Sequence, residues 1–154
     1  MTRDFKEMAI RYVDNAWNRG NLDVLDDLMT PDFVDHGASA GETSSLEEHK
    51  DLIRMTRSAF PDLFNRVEDL VSEDNKVAIR WTAEGTHQGK WRGIAPTGKR
   101  IAISGVTILR IEGERSRSAG AIMIPATCCS SPESWVQPTL LGKEAKSPSP
   151  PNWC

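Results

Sequence analysis

The chain is predicted to be α+β, with three N-terminal helices packed on a curved antiparallel sheet that bends into a cone-shaped, barrel-like layer. Three observations carry this. Apolar residues recur at helical spacing up to about residue 60. From residue 63 the period becomes two, in long segments rich in β-branched residues. The helices also precede the strands as a block, which is the order of an α+β domain and not of alternating βα units.

Phe5, Met8, Ala9, Tyr12, Val13, Ala16 and Trp17 mark an amphipathic helix over residues 3–19, stopped by Gly20. Asn21 caps a second, short helix with Leu22, Leu25, Leu28 and Met29 on its buried face, and Pro31 ends it. Phe33-Val34-Asp35-His36 reads as a short extended piece, followed by a Gly/Ser/Ala-rich loop from Gly37 to Thr43. Ser44 and Glu47 fit a reciprocal capping box, so the third helix is expected from Ser45. It carries Leu46, His49, Leu52, Ile53, Thr56 and Phe60 near one face and closes at Pro61. Strands are expected over 63–73, 75–88 and 99–112, with a tight turn at Asp74-Asn75 and a wider connection through Pro96. Such a sheet, bent over the helices, would leave a conical cavity between the two layers.

At 154 residues the chain suits a single core. A net charge of −3 gives no electrostatic reason to bind nucleic acid or an anionic membrane. No apolar run approaches the ~20 residues that span a bilayer. The charged start, Met1 to Glu7, lacks the apolar stretch of a secretory signal, so a cytoplasmic location is expected. Cys128, Cys129 and Cys154 supply no zinc-ligand spacing, and no metal is expected.

The main domain is expected over residues 1–112, and residues 113–154 read as an irregular Pro/Ser/Cys-containing tail. The tail holds six of the nine prolines and all three cysteines, with no sustained period. Solvating tails seldom contain Cys-Cys, two tryptophans and a run such as Ala121-Ile122-Met123-Ile124. Permitted codons for Gly113–Ser130, with one base restored, read in the neighbouring frame as Gly-Gly-Ala-Ile-Ala-Glu-Arg-Trp-Gly-Asn-Tyr-Asp-Thr-Arg-Asp-Leu-Leu-Gln. That peptide is a turn, a strand with an aromatic residue and a helix start capped by Asp. The tail is therefore read as a frame-shifted product, with Ala121 to Ile124 available as a makeshift strand.

Five segments recur in register. They are Ala16-Trp17-Asn18-Arg19-Gly20-Asn21-Leu22-Asp23, Pro31-Asp32-Phe33-Val34-Asp35-His36, Ala59-Phe60-Pro61-Asp62-Leu63, Arg80 to Gly89, and Gly93-Ile94-Ala95-Pro96-Thr97-Gly98-Lys99. In this order and spacing, residues 5–112 resemble the SnoaL-like polyketide (ester) cyclases of the nuclear-transport-factor-two-like superfamily. The resemblance implies a cone with an internal pocket, commonly a homodimer through the open sheet face, and ring closure by intramolecular aldol condensation without metal or organic cofactor. It also implies an acid/base carboxylate on a late strand, which this frame lacks and the neighbouring frame supplies.

His87 is the first candidate for the chemistry. It shares strand parity with Val77, Ile79, Trp81 and Ala83, so it is expected to face the pocket, where an imidazole can exchange a proton near neutral pH. The plainer alternative is a histidine bracing a strand end. His36 is the second candidate, expected to point into the cone while Asp35 faces away. His49, mid-helix, reads as surface or packing. Trp17, Met55, Phe60 and Trp81 are expected to contact an apolar, flat ligand or simply to fill the core, and Gln88 joins them as a substrate contact. Arg80 alternates with Trp81 and so faces solvent or a partner.

The function expected is thus enolate chemistry on a small carbonyl compound in an apolar pocket, as a lyase or isomerase, with activity open to loss through the altered tail. The alternatives are a binding protein with the same pocket and no turnover, or an epoxide hydrolase or ketosteroid-isomerase-like enzyme. An inward carboxylate within reach of a ligand carbonyl would favour the enzyme.

Overall fold

The computed structural model of the protein describes residues 5–36 and 43–125. The loop expected from Gly37 lies outside the described residues up to position 42, as do the cysteines and the rest of the expected tail beyond Pro125.

Helix α1 (Phe5–Arg11) continues as a π-helical stretch over Tyr12–Asn18, so the expected first helix is one rod whose last turns are widened. The Arg19 N–H reaches back to Asp14 O at 3.1 Å, five residues away. Arg57 donates to Trp17 O and Asn18 O at 2.7 Å each, taking up carbonyls that a helix end leaves open. Gly20 then turns the chain at φ +71°, where a Cβ would also stand 2.7 Å from Arg57 Nε.

Helix α2 (Val24–Leu28) leads directly into β1 (Met29–Asp35), so Met29, expected on the helix, opens the strand instead. The two-residue strand β2 (Ser44–Ser45) pairs antiparallel with the end of β1. Helix α3 (Leu46–Ala59) begins one residue later than expected. Its capping box is Ser45 with Glu48: Ser45 Oγ accepts from the Glu48 N–H at 3.3 Å, and Glu48 Oε2 accepts from the Ser45 N–H at 2.7 Å. Ser44 lies one residue before the cap, paired with Asp35 in the sheet, and Glu47 accepts from Lys50 Nζ at 2.9 Å instead.

Strands β3 (Phe64–Glu73), β4 (Lys76–Thr86) and β5 (Arg100–Glu112) form an antiparallel meander close to the expected spans, with Asp74-Asn75 as the tight turn. The sixth strand, β6 (Arg115–Pro125), carries the sheet past the expected boundary at residue 112. Gly113, at φ +63°, allows the two-residue turn that folds Arg115 back onto Glu112. The sheet order is β2-β1-β6-β5-β4-β3. Every pair is antiparallel except β1 with β6, which is parallel, so the sheet is mixed and open where a wholly antiparallel one was expected. The parallel pair follows from the long path of the chain between β1 and β6, which a hairpin connection would not require.

The inner face of the sheet carries the core. Met8, Tyr12, Val13, Leu25, Met29, Phe33 and Ile53 pack against Val77, Ile79, Leu109 and Ile111. A second, smaller cluster of Ala59, Phe60, Leu63 and Ala83 lies nearby, and Trp17 and Trp81 touch both. The two aromatic side chains therefore sit where the clusters meet.

Candidate functional site

His87 follows the last residue of β4, and three local devices place it. Asp62 accepts from the Thr86 N–H and hydroxyl at 2.7 Å each, tying the end of β4 to the turn after α3. Those two bonds, the backbone one first, hold the exposed Asp62 carboxyl below its ordinary range. The N–H groups of Gln88 and Gly89 both donate to Ala59 O, at 2.9 and 3.0 Å. Gly89 comes so close to α3 that a Cβ would lie 2.3 Å from Ser58 O. The segment Ala59 to Leu63 and the segment Gly85 to Gly89 are thus two halves of one clamp.

The clamp lays the His87 ring against Phe60, with centroids 5.3 Å apart, and Trp91 meets Phe60 edge-on at 5.9 Å. His87 is 6% exposed, and its inward parity is as the alternation of β4 predicts. Its Nδ1 lies 3.1 Å from Thr97 Oγ1 and accepts the Thr97 N–H at 3.3 Å. Its Nε2 is buried and has no hydrogen-bonding partner among the described residues. A buried polar atom left without a partner is costly in a core, which marks His87 as a candidate for the site.

A second polar group sits inside the main core. His49 Nδ1 lies 2.6 Å from Asp35 Oδ2, and His49 Nε2 lies 3.0 Å from Tyr12 Oη. Burial, with the Asp35 charge adding and the Trp17 side chain opposing, pushes the Tyr12 phenol above its ordinary range, so it stays protonated. A protonated phenol that donates to Nε2 leaves Nδ1–H to donate to Asp35, so the three groups are placed to form one chain of bonds. Trp17 and Phe33 pack on the imidazole, with centroids at 6.2 and 5.5 Å. Trp81, half-buried beside these residues, donates from Nε1 to Thr107 Oγ1 at 2.9 Å.

The geometry corrects the expected placement of four side chains, His36, Asp35, Met55 and Gln88. His36 is exposed and Asp35 is buried, the reverse of what was expected. The anchor of that parity is Phe33, which is 2% exposed and shares its face with Asp35, so the signal was legible in the alternation itself. His49 is 3% exposed and belongs to the buried stripe of α3 with Leu46 and Ile53, on the helical face where its spacing had put it. Met55 is 40% exposed and turned outward, so it does not meet the aromatic group. Gln88 is also exposed and contributes its backbone to the clamp. Phe60, Trp17 and Trp81 come together around the junction of the two clusters. Arg80 is exposed on the outer face, as its alternation with Trp81 requires, 3.9 Å from Asp69.

A hollow of about 260 Å³ lies on the outer side of β3–β5, lined by Asp62, Phe64, Arg66, Thr82, Glu84, Gly85 and Arg100. It is not the expected space between helices and sheet. Among the described residues no helix is long and apolar enough to cross a membrane.

The family model for SnoaL-like polyketide cyclase matches residues 7–119. AclR of Streptomyces galilaeus, assigned as a hydroxylase, is 29% identical over 77% of this chain and 74% of its own, with a TM-score of 0.69. IdmH of Streptomyces antibioticus, assigned as a polyketide cyclase, is 26% identical over 79% of this chain and 92% of its own, also with a TM-score of 0.69. A SnoaL-like polyketide cyclase fold from Jannaschia sp. CCS1 superposes with a TM-score of 0.71 over 77% of this chain and 83% of its own; at 22% identity it speaks to the fold alone. No curated protein shows significant similarity to the chain.

Proposed function

We propose, for a chain that belongs to the SnoaL-like polyketide cyclase family, that it binds a small, largely apolar carbonyl compound and closes a ring in it by enolate chemistry. The observation that carries this reading is the buried, unpartnered Nε2 of His87 beside Phe60, because a donor held in apolar surroundings suits an oxygen that gains charge during reaction. Phe60, Trp17 and Trp81 offer the aromatic surface for the ligand body.

Asp35 is the inner-face carboxylate that separates an enzyme from a plain binder, and it acts through His49 and Tyr12. A proton next to the substrate carbonyl passes to Tyr12 Oη as the phenol proton passes to His49 Nε2, and Asp35 stabilises the resulting imidazolium. The enolate oxygen rests on His87, the enolate carbon attacks a second carbonyl of the same molecule, and the proton held on His49 returns through Tyr12 Oη to the alkoxide formed there. The chain pairs with a second copy through the outer face of the sheet, where Phe64 and Ile108 are exposed.

A thermal-shift screen with polyketide esters, steroids and small epoxides tests the reading. A stabilising polyketide ester that is also converted to a cyclised product supports it. Stabilisation without turnover leaves the binding protein, and stabilisation by epoxides alone with diol formation replaces the reading by a hydrolase.

A further inference from the structure

We propose that Thr97 is a positioning residue that fixes the tautomer of His87, making its Nε2–H a dedicated donor to a carbonyl or enolate oxygen; this rests on the carbonyl-compound reading above. A backbone N–H can only donate, and the Thr97 N–H points at His87 Nδ1 at 3.3 Å. The Thr97 hydroxyl lies 3.1 Å from the same nitrogen, and its oxygen accepts the Lys99 N–H at 3.3 Å, which leaves its hydrogen available to the ring. The amide, which can only donate, occupies the Nδ1 lone pair, so the proton of the neutral ring resides on Nε2 and the hydroxyl can donate to the same nitrogen.

The backbone of His87 is held by the same segment. Its N–H donates to Lys99 O at 2.9 Å, and its carbonyl accepts the Gly98 N–H at 2.8 Å. Gly98 sits at φ +69°, a conformation that lets the chain turn back along His87. Ring and backbone are therefore set by residues 97–99, whereas Phe60 only covers one side of the ring. An imidazole pinned in this way has no lone pair free to take a proton from carbon. It serves the oxygen of the substrate, and groups that present only donors, such as ammonium ions, are disfavoured.

Long-range proton–nitrogen NMR of the histidine rings reads this directly, since the chain has three histidines and His87→Gln identifies the signal. At a pH where the rings are neutral, His87 should show protonated Nε2 and bare Nδ1. Thr97→Val keeps the amide donor and should keep that tautomer, and Thr97→Pro removes it and should give a mixture. A wild-type ring protonated on Nδ1 overturns the proposal, whether or not Thr97→Pro folds. Dimedone, a cyclic dione that is an enolate in neutral water, is the probe for the second arm. It should move the His87 Nε2–H proton downfield, and the response should weaken in Thr97→Pro. A locked tautomer with no response to dimedone overturns the carbonyl-binding use of the donor while leaving the lock in place, so the two failures are distinguishable.

Discussion

His49 is the residue on which most depends, because it joins three elements through one ring: Tyr12 after α1, Asp35 on β1 and its own helix α3. His49→Ala leaves a buried carboxylate without its imidazole, and the loss expected for breaking such a pair is about 3–5 kcal/mol. Tyr12→Phe removes one hydroxyl and should cost less, about 1–3 kcal/mol. Urea unfolding of the two variants checks the order, and a larger loss in Tyr12→Phe would contradict the view that His49 is what joins the three elements. Glycines 89 and 98 make a second comparison. Gly89→Ala sets a methyl group 2.3 Å from a carbonyl oxygen of α3, so backbone must move. Gly98→Ala meets nothing within 4 Å but must hold φ +69°, a strain of about 1–2 kcal/mol. The first variant should lose more stability than the second, and its His87 signals should shift with the displaced clamp.

At the scale of elements, the clamp between the end of α3 and the end of β4 has a pH signature. Asp62 has its folded pKa depressed below the ordinary 3.8 by the Thr86 N–H and hydroxyl. A depressed carboxyl contributes stability above its unfolded value and loses it as pH falls through the folded value. Wild-type protein should therefore lose stability from about pH 4 downward more steeply than Asp62→Asn, in melting curves taken across that range. Glu48 in the capping box, also depressed by its Ser45 bonds, adds to the same acid slope in both proteins. Strand β6 shows the opposite relation between residue and element. Ser116, Ser118, Ala119 and Gly120 have little intrinsic preference for a strand. They form one because β5 and β1 each present an edge of unpaired backbone groups between which only a strand fits.

For the whole molecule, two surfaces decide behaviour in solution. Phe64, Val71 and Ile108 are exposed on the outer face at 58%, 61% and 47%. If that face pairs with a second copy, Ile108→Arg should convert a dimer to a monomer in sedimentation without unfolding it; an unchanged mass would remove the sheet face as the interface. The other decision lies in β6, where fully buried Ser116 and buried Ala119 stand among Leu109, Ile111 and Phe33. Read with the permitted codons above, the neighbouring frame would place Ile, Trp and Tyr along β6, and more apolar area buried at roughly 25 cal/mol per Å² would make a more stable sheet. A protein carrying that frame should melt several degrees higher, at about 2–8 °C per kcal/mol. An equal or lower Tm would refute the view that the present strand is a makeshift one, and the intact mass of the natural protein tests the frame itself.

Amino-acid order alone determined the helices, the three-stranded meander, the inward parity of His87 and the family. Each rests on periodicity or turn chemistry that acts within a few residues: the heptad-like stripe of α3, the alternation of β4, Asp74-Asn75, and Gly20. Phe33 also carried the parity that puts Asp35 inside, though the reading that favoured His36 took the opposite phase. Tertiary structure decided what is joined across distance. Tyr12, Asp35 and His49 meet because helix and strand pack, and Thr97 reaches His87 because a ten-residue connection folds back on itself. The parallel entry of β6 between β1 and β5 was decided there too, since pairing energy from two open edges outweighed the weak preference of its own residues.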